Sequence, residues 1–217
     1  MRNKNRRSFY TAAYLLAAFV LWTAAVCVID VQAIGPEGTC VGFAAVNRFF
    51  HDLTGVHMGL YVLTDWLGLV PVCFGAGFAL VGLMQWIRRK CLWKVDRSIL
   101  VLGGFYVIVM ACYVLFEIVV INYRPVLING ALEASYPSST TMLVLCVMPT
   151  TLMQLHARIK NRIWKQCFDI VISGFMVFMV VGRLISGVHW FSDIVGGGLL
   201  SAGLVALYHA LSHWMDM

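Results

Sequence analysis

The chain has 217 residues and a net charge of +6, yet only 12% of its residues are charged and 61% are hydrophobic. A soluble domain of this size carries about twice that share of charge, so a water-soluble globular class is excluded. The positive balance suits membrane orientation and anionic headgroups, and gives no reason to invoke nucleic acid.

In chain order, MRNKNRR precedes an uncharged apolar run over residues 9–29. That run is longer than the ~7–15 residues of a signal-peptide core and lacks a small-x-small cleavage site, so it reads as a retained first helix. Residues 30–65 form a loop containing GFAAVNRFFHDLTGVHMG. There Phe43, Val46, Phe49, Phe50 and Leu53 recur at helical spacing, with Asn47, Arg48, His51 and Asp52 between them. This predicts a short helix lying in the membrane interface, with His51 and His57 as ordinary surface residues. Further apolar runs follow at 66–87, 99–121 (broken only by Glu117), 140–155, 170–182 continuing to about 188, and 194–211. About 20 apolar residues span a hydrocarbon core. The predicted fold is therefore all-α: a polytopic membrane protein with six transmembrane helices in one bundle, residues 1–217 forming a single membrane domain.

Cytoplasmic loops are rich in Lys and Arg. Thirteen of the sixteen basic residues fall before helix one, between helices two and three, and between helices four and five. These are alternate connections, so one orientation satisfies all of them: both termini cytoplasmic, in the cell membrane. Arg48, Arg124 and Arg183 then lie on the extracytoplasmic side. The seven cysteines show no metal-ligand spacing and no disulfide framework.

Two extracytoplasmic segments carry chemistry. In NYRPVLINGALEASYPSSTT, Ser138 or Ser139 is placed to cap helix four, and a helix N-terminus near Arg124 is a ready anion site. In GRLISGVHWFSD, Arg183 precedes His189 by six residues and Asp193 follows it by four. Ser192 is placed to cap helix six, with Asp193 in its first turn. An Arg can fork onto a phosphate, a His can attack phosphorus, and an Asp one helical turn on can hold the imidazole in one tautomer.

Arg124-Pro125, then Pro137-Ser138-Ser139, then Arg183, His189 and Asp193 resemble the three signature motifs of the type 2 phosphatidate phosphatases. That superfamily includes lipid phosphate phosphatases, prenyl-diphosphate phosphatases and vanadium haloperoxidases. The resemblance runs from about helix two to the C-terminus. It implies that Arg124, Arg183, Ser138 and the backbone around Ser139 bind phosphate, and that His189 forms a phosphohistidine with Asp193 orienting it. It implies no cofactor and no metal, because arginines stabilise the transferring phosphoryl group. The partners it implies are a lipid phosphate or diphosphate and the bilayer.

Four positions depart from the family pattern. Glu117 stands where a Lys is expected, seven residues before Arg124; Ser139-Thr140 replace Gly-His; Gly182 replaces Ser. The missing histidine is the family's general acid, a group worth ~10²–10⁴ in rate. Glu133 and Glu117 are the carboxyls placed to replace it, with His51 and His57 as weaker choices. On a seven-residue spacing Glu117 and Arg124 would share a helix face and could pair. The sequence thus predicts a membrane lipid phosphatase or related phosphotransferase. The alternative it leaves open is a protein that binds lipid phosphate without turning it over.

Overall fold

A backbone in hydrocarbon must satisfy its own hydrogen bonds, and every long apolar run of this chain is helical. The computed structural model describes the backbone of residues 2–215 and the side chains of residues 6–212 and 214. Among the described residues there are eight α-helices. They are α1 (Arg2–Val28), α2 (Ala44–Thr54), α3 (Met58–Leu67), α4 (Leu69–Arg89), α5 (Arg97–Ile118), α6 (Ser139–Arg158), α7 (Arg162–Ile185) and α8 (Phe191–Met215). A small hairpin, β1 (Gln32–Ala33) against β2 (Cys40–Val41), precedes α2. Six helical stretches are long and apolar enough to cross a membrane, α3 and α4 counting as one. The all-α, six-span architecture is the one expected.

Several element ends differ from the apolar runs. The second span begins at Met58 rather than residue 66, because α3 continues into α4 through Gly68. Thr64 and Asp65 interrupt the apolar count, which hid α3 in the sequence. Together α3 and α4 cover 32 residues, about 48 Å at 1.5 Å per residue. That exceeds a ~30 Å hydrocarbon core, so the pair tilts or projects. The third span stops at Ile118 instead of 121. The fifth ends at Ile185 instead of running on to 188, because Gly187 turns with φ +68°. The helix expected near residues 43–53 is α2, but its Asn47 is fully buried. Asn47 Nδ2 donates to Gly42 O at 2.7 Å and Ser192 Oγ at 2.9 Å, and its Oδ1 accepts from Ser192 N at 3.0 Å. That residue ties α2 to the start of α8.

Half of the residues in the α6 and α8 spans are buried, against 11–22% in the other four. These two helices are the centre of the bundle. Leu102, Phe105 and Val109 of α5, Met142 and Cys146 of α6, and Leu200, Leu204 and Tyr208 of α8 form the main core. Val144 and Met148 pack with Ile172 and Met179 of α7 in a second cluster. Close approach of α8 to the residues before α6 depends on glycine. A Cβ at Gly196 would fall 2.5 Å from the Tyr136 ring, and one at Gly197 3.1 Å from Ser138 O. Tyr136 cannot easily yield, since its hydroxyl meets Thr23 Oγ1 at 2.7 Å and its ring stacks on Phe19. The N-terminal ends of the central helices are thereby pressed together, at the end of the bundle opposite the basic turns.

Candidate active site

Where α5 ends, the chain pairs with itself. Ser135 N donates to Asn122 O at 2.9 Å, Arg124 N donates to Glu133 O at 3.1 Å, and Tyr123 bridges Ala134. Asn129 and Gly130 close this hairpin with φ of +52° and +80°, the type I′ geometry that Asn-Gly favours. The pairing sets Asn122 and Arg124 across from Ser135 and Glu133.

His189, Ser135 and Asp193 are all buried. His189 Nδ1 lies 3.0 Å from Ser135 Oγ, which donates to Asp193 Oδ2 at 2.5 Å. His189 Nδ1 and Asp193 Oδ2 are 4.0 Å apart, too far for a hydrogen bond. The expected direct contact between Asp193 and His189 is thus replaced by a serine bridge. A hydroxyl has one proton to give, so Ser135 accepts from Nδ1–H while donating to the carboxylate. This leaves Nε2 as the unprotonated nitrogen, buried and with no hydrogen-bond partner in the protein. Asp193 also accepts from Asn122 Nδ2 at 3.1 Å and Trp190 N at 3.0 Å. Burial, and then the charges of Arg124 and Arg183, hold the His189 imidazole well below its ordinary range of about 6.5. It is the neutral form that the site favours.

Arg183 lies in the last turn of α7 with its side chain buried. One face of α3 grips it: Nη1 reaches Tyr61 O and Thr64 Oγ1, each at 3.4 Å, and Nη2 pairs with Asp65 Oδ1 at 3.1 Å. Tyr61, Thr64 and Asp65 have the i, i+3, i+4 spacing that puts three side chains on one helix face. Nη2 also donates to Thr140 Oγ1, in the first turn of α6. Arg124 Nε is 3.1 Å from Glu133 Oε2, close enough for an ion pair though not aligned as a hydrogen bond. The Tyr61 ring carries both guanidiniums, Arg183 at 5.0 Å and Arg124 at 5.7 Å from its centroid.

The structure therefore brings Arg124, Arg183, Ser138, His189 and Asp193 to one end of the bundle, as the motifs imply. Ser138 takes the N-cap position of α6 but its hydroxyl caps nothing; Oγ is buried without a partner, and its N–H donates to Asp193 O at 3.0 Å. Ser139 is the first residue of α6 and is half-buried. Ser192 does not cap α8 either, since it lies inside the helix and bonds Asn47. Glu117 does not pair with Arg124, because α5 ends between them; it lines a narrow crevice with Ser135, Pro137 and Ser139. Among the described residues, neither Glu117 nor Glu133 hydrogen-bonds His189. His51 packs beside Trp190, with ring centroids 5.5 Å apart, and His57 Nε2 meets Thr54 O at 2.9 Å. Motif reading missed Ser135, Asn122, Tyr61, Thr64 and Asp65. The Asn129-Gly130 turn was the available signal for the first two.

The sequence of residues 117–216 matches the PAP2 superfamily, and that stretch contains Arg124, Ser138, Arg183, His189 and Asp193. Over the whole fold the protein is similar to the crystal structure of a transmembrane PAP2-type phosphatidylglycerolphosphate phosphatase from Bacillus subtilis. The TM-score is 0.56, over 94% of this chain and 96% of that one, at 19% sequence identity. At that identity the likeness is one of fold, and it extends past the matched residues 117–216 to include the helices before them. No curated protein matches the chain in sequence.

Proposed function

We propose that this protein is an integral-membrane lipid phosphatase that works through a phosphohistidine on His189, with its site on the extracytoplasmic side. The observation that carries this reading is His189 Nε2: an unprotonated, buried nitrogen without a protein partner, whose tautomer is fixed from the other side by Ser135 and Asp193. In the first step Nε2 forms a bond to phosphorus as the bond to the leaving oxygen breaks. Arg124 and Arg183 hold the phosphoryl oxygens, and Asp193, through Ser135, supports the charge gained by the imidazole. Water then attacks phosphorus and leaves its proton on the released phosphate, which restores His189.

The leaving group selects the substrate. Thr140 stands in the acid position and is engaged by Arg183, and Glu133 is engaged by Arg124 as a carboxylate. A lipid alcohol would have to leave as an alkoxide, of basicity near that of hydroxide. A lipid diphosphate releases a phosphate ester with a relevant pKa of only ~6, and needs no proton. The favoured substrate is therefore a lipid diphosphate.

A second reading has its own observation. Asp65 and Glu133 each sit on one of the two arginines, as in a site that binds lipid phosphate without turning it over. One experiment separates the two. Purified protein and its His189→Ala variant are offered prenyl diphosphate and phosphatidate, and phosphate release is followed. The enzyme reading expects release from diphosphate first, lost in the variant. Equal background release on both lipids from both proteins would end it and leave the binding protein.

A further inference from the structure

At the end of the bundle opposite His189, α4 and α5 are joined by a turn, and a groove runs along their shared face. A cavity of about 660 Å³ lies between them, walled by Phe78, Trp86, Val107 and Met110 and floored by Leu92 and Val95. Gly103 and Gly104 line it, and a Cβ built on either meets no atom within 4 Å. The space is therefore unfilled by protein rather than closed by it. Along α4 the cavity extends from Trp86 to Gly75, about 16 Å at 1.5 Å per residue. That is about the depth of one leaflet of a ~30 Å core.

The turn that floors this groove is basic. Arg89 is tied to Asp96 at 2.8 Å, and Asp96 also accepts from Gln85 at 2.8 Å. Arg88, Lys90 and Lys94 have no acidic partner among the described residues. Trp93 beside them is 86% exposed, as an aromatic at the headgroup level is. An apolar slot one leaflet deep thus ends at a turn that carries three cations without an acidic partner.

We propose that this groove binds an anionic phospholipid, with an acyl chain between α4 and α5 and the phosphate at Arg88, Lys90 and Lys94. Basic pockets between membrane helices select anionic headgroups, because each neighbouring Lys or Arg adds to the attraction. A zwitterionic lipid would fill the slot equally well but leave the cations unmatched. The proposal is independent of the chemistry at His189.

The test is native mass spectrometry of the purified full chain, incubated with equal amounts of phosphatidylglycerol and phosphatidylcholine. Phosphatidylglycerol should be retained in preference by at least ~10-fold. The combined substitution Arg88→Gln, Lys90→Gln and Lys94→Gln should erase that preference. Gly103→Leu and Gly104→Leu each place a better helix former into the groove; they should lower retention by a similar factor without lowering the melting temperature. Equal retention of the two lipids by the unaltered chain would overturn the proposal. So would a preference that survives the triple substitution, or retention that survives both leucines, since the lipid would then sit elsewhere.

Discussion

A serine hydroxyl can donate once, and in Ser135 that proton goes to Asp193 while the oxygen faces His189 Nδ1. Removing the hydroxyl leaves the imidazole free to adopt the other tautomer, with its proton on Nε2, the nitrogen proposed to attack phosphorus. Ser135→Ala should therefore lower kcat by about 10²-fold, less than the ~10⁴ that the wrong tautomer costs in a serine protease, since Asp193 stays in place. KM should stay nearly constant, since both arginines remain, and Ser135→Thr should restore part of the rate; a purely structural role would change KM and melting temperature as well. The same burial sets the pH response. A free imidazole takes up a proton near 6.5, but His189 is held below that range by burial and by Arg124 and Arg183. The neutral imidazole then persists as pH falls through 6.5 and is lost only as pH falls through the lower value. In kcat/KM, which reports the free enzyme, the acid limb should lie clearly below pH 6.5. An acid limb at or above 6.5 would contradict the electrostatics described here.

Among the elements, α3 shows most clearly what apolar counting overlooks. Its Thr64 and Asp65 look like loop residues in a hydropathy reading, yet with Tyr61 they form the face that holds Arg183. Gly182 makes the fit possible, and this explains one departure from the family pattern. A Cβ at Gly182 would lie 2.9 Å from Thr64 Cγ2 and 3.8 Å from Leu60 Cδ1. Thr64 is not free to turn away, because its hydroxyl donates to Leu60 O at 2.8 Å. Gly182→Ser, the family's own residue, should therefore destabilise the protein by about 1–3 kcal/mol, as overpacking does, and loosen the grip on Arg183. Adding Thr64→Ser removes the offending methyl and should recover most of the loss. Thermal melts of the two singles and the double form the check, with simple additivity as the outcome that would refute the contact. The Asn122–Ser135 hairpin is the other element that motif spacing passes over. Its Asn-Gly turn was legible, but the partner strands are short and irregular, so only the closed turn reveals which residues face each other.

For the molecule as a whole, the apolar runs and motifs carried the six spans, the all-α class and the gathering of Arg124, Ser138, Arg183, His189 and Asp193 at one end. What they could not carry depends on contacts distant in sequence: Ser135 between His189 and Asp193, and Asp65 on Arg183. Charge distribution adds a prediction at this scale. The turns around residues 88–97 and 158–165 carry nine of the sixteen basic residues, and the helix order puts them at the end away from His189. Lys- and Arg-rich short loops stay in the cytoplasm, so the end bearing His189 and the β1–β2 hairpin should face outward. Cys40, exposed on β2, and Trp93, 86% exposed in the opposite turn, mark the two ends. In a chain whose other cysteines are replaced by serine or alanine, Cys40 alone should react with a membrane-impermeant maleimide on intact cells. With Cys40 also replaced, Trp93→Cys should react only after permeabilisation. The reverse pattern would place His189 in the cytoplasm, where a phosphohistidine enzyme would meet lipids of the inner leaflet instead.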